Sequence, residues 1–434
     1  MGEKSVGDRI VGWFGRVAMD RIDSNPTFVR NWLQLGYELM TFKSHVLPNR
    51  STSKSAQQAY ALFMSSITGA LAHPDESIVT SIFCPTEPFR AMGLRPVTAE
   101  AVASMASGAQ SEGGFVATAE GAGIPETYCS YHKVLMGLAT SGVLEPMPMV
   151  AATSLACDAN SLTFRALADI WGCPCAYMDV PMEISEDAIA YVSDELRETA
   201  HMAEAAYGRT LDEDKLREIC ERSQRTLERL AGLPRARRGR YLAGTMTSDL
   251  MGMLDVHLSL GTPEAEELVE QMFADLEDAP AFDGTTLVWG HVMPYFLDNL
   301  EEILNTNKNV QVVATDMLFD QLPPEGGWLH PAAEDPWGFM AERLIRSCFN
   351  GPAERRVERL AWLARETEAD GAVFFCHWGC KQTAGAAQLV RKGLEAEGIP
   401  VLVLDGDGCD RAMCMEGQMT TRLSAFLEMV NDGE

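Results

Sequence analysis

The sequence predicts an α/β protein, with two α/β domains built on parallel sheets and a helical section ahead of them. Three observations predict it. A chain of 434 residues is too long for one ordinary core, so more than one domain is expected. Short apolar, β-rich runs alternate with amphipathic helical stretches, the pattern of parallel strands joined by crossover helices. The first part of the chain lacks such runs. The expected divisions are a helical section over 1–75, a first α/β domain over 76–235 and a second over 236–434.

Patterns such as NWLQLGYELMTF and AQQAYALFMSSITGAL make residues 1–75 helical. SIVTSIFC (77–84) is a strand run closed by Pro85. PMVAATS (148–154) is a second, running into Cys157 and Asp158, and CAYMDVP (175–181) is a third. The polar-periodic stretches 185–208 and 211–232 read as surface helices. PRARRGRY (234–241), the one strongly basic cluster, reads as a solvated loop or domain boundary. The second half repeats the rhythm. TTLVWGHV (285–292) is a strand, DNLEEILN (298–305) a helix and VQVVATD (310–316) a strand, with two helices within 336–366. AVFFCH (372–377), a helix over 382–397, PVLVLDGD (400–407) and a helix over 417–431 close the pattern. Segment 321–335, rich in Pro and Gly, is expected to be a mobile loop near the site.

Composition excludes several classes. The apolar share of 46% and charged share of 22% are those of a globular protein. Lys and Arg number 35 against 62 Asp and Glu, a formal charge of -27. Such a surface repels phosphate backbones and anionic lipid, so no nucleic-acid or membrane partner is expected; it also serves plain solubility. MGEKSVGDRIVGWFGRV lacks the apolar core and cleavage site of a secretory signal, and no apolar run is long enough to span a bilayer. A cytoplasmic location is therefore expected, where thiols stay reduced and eleven cysteines point to metal or redox chemistry rather than disulfides. Neither a GxxxxGK[ST] loop nor a convincing GxGxxG occurs. Any ATP used must be bound by another protein.

Six of the cysteines fall where a strand or loop meets the next helix: Cys84, Cys129, Cys157, Cys376, Cys380 and Cys409. The carboxyl edge of a parallel sheet is where ligands bind, and soft thiolates gathered there suit an iron–sulfur cluster. Cys376 and Cys380 in CHWGC precede a helix whose dipole favours thiolate, and Cys409 sits in the DGDGCD loop. Cys129 is read equally well as a buried small apolar residue, and Cys157, before the candidate N-cap Asp158, as structural. Cys173, Cys175, Cys220 and Cys348 read as packing. His132 and His377 flank candidate ligands and are candidate proton carriers, as is Glu87 in CPTEPF, which also reads as a helix-capping carboxylate.

Several motifs together give the chain a resemblance to the 2-hydroxyacyl-CoA dehydratase and benzoyl-CoA reductase superfamily, D-component-like, from about residue 30 onward. They are PTEPFRAMGLRPV, YCSYHKVLMGL, CDANSLTFRALADIW, GAVFFCHWGCKQ, and GIPVLVLDGDGCD with EGQMTTRLSAFLE. The resemblance implies two flavodoxin-like, three-layer α/β domains with the cluster between them. It implies a 4Fe-4S cubane held by the cysteines matching Cys84, Cys129 and Cys380, and electrons from a separate ATP-hydrolysing iron–sulfur activator. The additional Cys376, Cys409 and Cys157 suit two cubanes joined by sulfide, as in the double-cubane cluster proteins of the superfamily, which resemble homodimeric reductases of small molecules. The first reading is thus an oxygen-sensitive iron–sulfur oxidoreductase carrying a double-cubane 8Fe-9S cluster. The alternatives are one subunit of a heterodimeric (R)-2-hydroxyacyl-CoA dehydratase, a lyase using one cubane and a ketyl radical, and a non-catalytic electron carrier.

Overall fold

Two four-stranded parallel sheets organise the chain in a computed structural model that describes residues 6–431. Residues 1–5 of the helical section and 432–434 of the second domain lie outside the described residues. The N-terminal section forms α1 (Val6–Met19), α2 (Pro26–Val46) and α3 (Lys54–Ala72). Asn25 and Ser53 cap the last two through N–H groups three residues on, and α2 buries Val29, Leu33 and Tyr37 at helical spacing.

The first sheet follows with β1 (Ser77–Thr80), α4 (Glu87–Ala91), β2 (Arg95–Thr98), α5 (Ala99–Gly108), α6 (Glu112–Gly121), α7 (Ser130–Thr140), β3 (Val150–Thr153), α8 (Asp158–Trp171) and β4 (Cys175–Met178). Its order is β2-β1-β3-β4, every pair parallel. SIVT and VAAT are buried throughout, so they show no polar alternation. The strand run expected over 77–84 ends at Thr80, because Cys84 turns back to donate to the Ser81 carbonyl. The short edge strand β2 begins with an exposed Arg followed by Pro96, a position sheets tolerate at an edge.

Five helices connect the sheets: α9 (Glu186–Tyr207), α10 (Glu213–Leu230), α11 (Leu233–Ala236), α12 (Met246–Ser259) and α13 (Pro263–Glu277). Both α12 and α13 pack on α3. The basic cluster 234–241 is part helix and part exposed turn. It starts within α11, and Arg235 and Arg238 pair with Glu366 while Arg238 also reaches Glu368.

The second sheet comprises β5 (Thr285–Gly290), α14 (Asp298–Leu304), β6 (Val310–Thr315), α15 (Pro336–Arg346), α16 (Ala353–Thr367), β7 (Gly371–His377), α17 (Lys381–Ala396), β8 (Val401–Gly406) and α18 (Glu416–Asn431). Its order, β6-β5-β7-β8, repeats the topology of the first, again all parallel. Segment 321–335, expected to be mobile near the site, forms an exposed turn at 325–327 but is tied down from Leu329 onward. The buried Glu342 carboxylate accepts from the backbone of Leu329 and His330, and the His330 ring bonds Glu186 and Asp335. Among the described residues, no helix is long and apolar enough to cross a membrane.

Candidate metal centre at the facing switch points

Each sheet starts near its middle and adds strands on both sides, so the loops leaving its two central strands part. Crevices at the carboxyl ends of strands form at such switch points. Here the loops of both sheets line one cavity of about 70 Å³. Ile82 and Phe83 follow β1, Ala156 and Cys157 follow β3, His291 and Val292 follow β5, and His377 and Cys380 come from β7 and its loop. Cys129 and His132 enter from the start of α7, Glu100 and Ser104 from α5, and Leu250, Met253 and Leu254 of α12 supply an apolar wall.

Three of the six candidate thiols therefore share the cavity: Cys129, Cys157 and Cys380. They occupy one structural position three times over. Each is the N-cap of a helix (α7, α8 and α17), and none makes a side-chain capping bond. Burial, then the neighbouring Cys157 and Cys380, push the Cys129 thiol well above its ordinary value. Burial and Cys380 push Cys157 up to about 12. Such raised values describe thiols with no cation present, and bound metal displaces those protons.

The other three do not line the cavity. Cys376, buried one residue before the end of β7, is pushed up to about 11 by burial first and then by Asp405 and Cys380. Cys409 is fully buried, its Sγ 3.8 Å from the Ala103 carbonyl, with Cys129 among the charges that raise it. Cys84 is 3% exposed and faces the Pro85 carbonyl at 3.8 Å; the charged groups that act on it are Glu87 and Arg343.

The candidate proton carriers separate in the same way. Glu87 does not reach the cavity: it is fully buried, and its carboxylate accepts from Arg343 (3.1 Å to Oε2) and Ser223 (2.9 Å). Burial alone would raise that carboxyl, but the Arg343 charge and hydrogen bonds prevail and hold it below the ordinary range. The His377 Nδ1 accepts from the Gly408 amide at 2.9 Å, which leaves the proton of the neutral ring on Nε2, 3.4 Å from Cys129 Sγ. His377 thus donates to a candidate ligand. His132 approaches Cys157 Sγ through Nε2 at 3.7 Å and leaves Nδ1 without a protein partner; burial lowers its pKa to about 4.

Two further residues line the cavity, and sequence reading did not single them out. Glu100 stands in the first turn of α5, and burial pushes its carboxyl up to about 7. His291 follows β5 in a left-handed conformation, φ 77°. No motif marks either one. A positive φ outside glycine is uncommon and concentrates at functional sites, and Ala156, also on the cavity, has φ 64°.

The donor set fits an iron–sulfur cluster. Thiols are its normal ligands, and three helix N-termini aimed at one chamber favour the negative charge it carries. Among the described residues no three His, Cys, Asp or Glu side chains converge as a single-ion site. A cluster spreads its thiolates over several irons and does not need that convergence. Tight backbone packing brings two of the ligand loops together: a Cβ on Gly379 (φ 76°) would lie 2.7 Å from the Cys129 nitrogen.

Known proteins resemble the chain at low overall identity. The chain is 25% identical over 401 residues to the alpha subunit of the lactoyl-CoA dehydratase of Anaerotignum propionicum, covering 83% of this chain and 91% of that one. It is 23% identical over 363 residues to a subunit of the benzoyl-CoA reductase of Thauera aromatica, covering 74% and 81%. The (R)-phenyllactyl-CoA dehydratase alpha subunit of Clostridium sporogenes is 23% identical over 335 residues, covering 72% and 79%. The model of the 2-hydroxyglutaryl-CoA dehydratase D-component family matches residues 81–430, a span containing all six candidate thiols and every strand after β1, and the chain belongs to that family.

Proposed function

We propose that this chain is an iron–sulfur oxidoreductase that takes low-potential electrons from a separate ATP-hydrolysing activator and reduces a small substrate held in the cavity. One observation carries the reading: three uncapped helix N-termini bring Cys129, Cys157 and Cys380 to a single buried chamber. A cluster bound there supplies one-electron chemistry at low potential. The chain's own residues do the rest. Leu250, Met253 and Leu254 keep water from the chamber. His377 donates from Nε2 to the Cys129 sulfur, which steadies thiolate charge and raises the potential. His132, whose Nε2 lies 3.7 Å from Cys157 Sγ, is the candidate proton carrier whose other nitrogen, Nδ1, has no protein partner. Glu87 acts at one remove, fixing α4 and the Cys84 loop through Arg343.

One cubane would use Cys129 and Cys380 with Cys84, as the motif resemblance implies, or with Cys157, which lines the cavity; an 8Fe-9S double cubane would enlist all of these with Cys376 and Cys409. The second reading, one subunit of a 2-hydroxyacyl-CoA dehydratase, is favoured by two relatives named as dehydratase subunits. The first reading expects a cytoplasmic homodimer, the second a heterodimer with a related subunit.

Iron and acid-labile sulfide quantitation with electron paramagnetic resonance of anoxically purified protein tests the proposal. About eight irons per chain supports two cubanes and about four supports one. Zinc without labile sulfide sinks both and leaves a structural metal protein. Copurification of an equimolar related subunit would favour the dehydratase reading.

A further inference from the structure

The cavity holds four buried polar atoms that no protein group satisfies: Glu100 Oε2, Ser104 Oγ, His132 Nδ1 and His291 Nδ1. Each such atom costs about 1–3 kcal/mol if left unpaired. Four in one chamber are a poor packing solution, but a few convergent polar groups on an apolar wall are how small-molecule sites are made.

His291 is held where it stands. Its backbone N–H donates to Asp316 Oδ1 at 2.7 Å, and Asp316 Oδ2 accepts from Arg356 Nε at 2.6 Å. Arg356 is fully buried between the rings of Phe349 and Phe374. A fixed ion pair thus maintains a strained imidazole at the mouth of β5, where glycine would carry no strain. Glu100, with burial raising its carboxyl to about 7, retains a donor proton in a good share of molecules at neutral pH.

We propose that Glu100 and His291 are the polar clamp of this cavity, hydrogen-bonding the acceptor atom of an uncharged, carbonyl-type group whose apolar remainder packs on Phe83, Leu250 and Met253. Among the described residues lining the cavity none is Lys or Arg, so a carboxylate or phosphate finds no counter-charge there. A thioester carbonyl and a small free carbonyl compound share the chemistry that the clamp recognises. What becomes of the bound molecule rests on the proposed reductase function; the binding itself does not.

The test is calorimetric titration of the full chain, purified without oxygen, with isobutyramide, isobutyryl-coenzyme A and isobutyrate. Iron and sulfide are measured on the same samples. Glu100→Leu and His291→Asn should each weaken the neutral probes about tenfold, the effect of one lost hydrogen bond. Asn tolerates the left-handed backbone. Glu100→Gln, which keeps an N–H donor, should stay within about threefold of the parent. Tighter binding of the coenzyme A ester points to a thioester source, equal or better binding of the amide to a free molecule, and either supports the clamp. The proposal falls if neither neutral probe binds, if isobutyrate binds as well as the amide, or if all variants bind alike. Missing iron and sulfide would instead remove the cluster reading, with the binding comparison still judging the clamp.

Discussion

Gly379 is the position where one methyl group should separate the thiols. It lies in the turn before Cys380 at φ 76°, and a Cβ there would stand 2.7 Å from the Cys129 nitrogen and from the Tyr128 carbonyl carbon and oxygen. Those are backbone atoms and cannot rotate away. Ordinary contact begins at 3.4 Å, so Gly379→Ala must drive the two ligand turns roughly 0.7 Å apart. A left-handed alanine costs about 1–2 kcal/mol and overpacking about 1–3 more, so a loss of about 2–5 kcal/mol is expected. Preorganised sites tolerate displacements of only about 0.5 Å, so iron content should fall more steeply than stability does. Thermal unfolding of the metal-free protein reads the first effect, and iron per chain after anoxic reconstitution reads the second. Gly385→Ala, in α17 with nothing within 4 Å of its Cβ, is the control and should gain about 0.5–1 kcal/mol. Parental iron and stability in Gly379→Ala would refute the close approach of these turns.

Three other outcomes are expected. Cys380→Ser should lose most of its iron, whereas Cys220→Ser, buried on α10, should keep it at a stability cost of about 1–3 kcal/mol; equal iron in the two rejects the ligand assignment. Glu87→Gln leaves Arg343 buried without its partner and should cost about 3–5 kcal/mol. Because the folded protein holds Glu87 below its ordinary value, its contribution is present above the unfolded pKa and lost as pH falls through the folded one. The parent's acid denaturation below about pH 4.3 should be correspondingly steeper than the variant's. Glu100 is shifted the opposite way, from 4.5 to about 7. Its contribution is complete below the lower value and is lost as pH rises to the higher. Glu100→Gln should therefore be the more stable protein above pH 7, by up to about 3 kcal/mol, and indistinguishable denaturation curves there would reject the burial of that carboxyl.

Strand–helix alternation made both sheets legible, since VAAT and GAVFFCH are apolar runs buried on both faces and TTLVWG is buried but for Thr286. The edge strand RPVT escaped because it is short and carries Pro. Thiols at strand–helix junctions were legible too, but their grouping was not. Motif resemblance favours Cys84 beside Cys129 and Cys380, while the cavity brings Cys157 to them and the Cys84 thiol lies near Glu87 and Arg343. Side-chain direction after a strand depends on how the loop turns, and three residues, Ser81, Ile82 and Phe83, separate the strand end from the thiol. Glu100 and His291 carry no pattern at all. One reads as an ordinary first-turn carboxylate and the other as the end of a strand; what marks them is burial, strain and an unpaired atom, and those exist only in the folded chain.

The choice of capping residue gives a test whose two readings differ in sign. This chain caps many of its other helices conventionally: Asn25, Ser53, Thr98, Ser185, Asp212, Thr262 and Asp335 all accept from an amide three residues on, whereas α4, α6, α11, α14 and α16 lack a side-chain cap. At α7, α8 and α17 it places cysteine, and the capping bond is missing. Serine at such a position is normally worth about 0.5–2 kcal/mol, so three forgone caps around one chamber make the metal-free protein less stable than it need be. An anionic cluster offsets that cost by taking the helix dipoles and the free amides. Cys157→Ser, at a half-buried position, should then raise the unfolding temperature of the metal-free protein while lowering its iron uptake. Were the thiols there only to pack, the same substitution would lower stability and leave iron untouched. A destabilised Cys157→Ser with full iron would end the case for ligands at these helix starts.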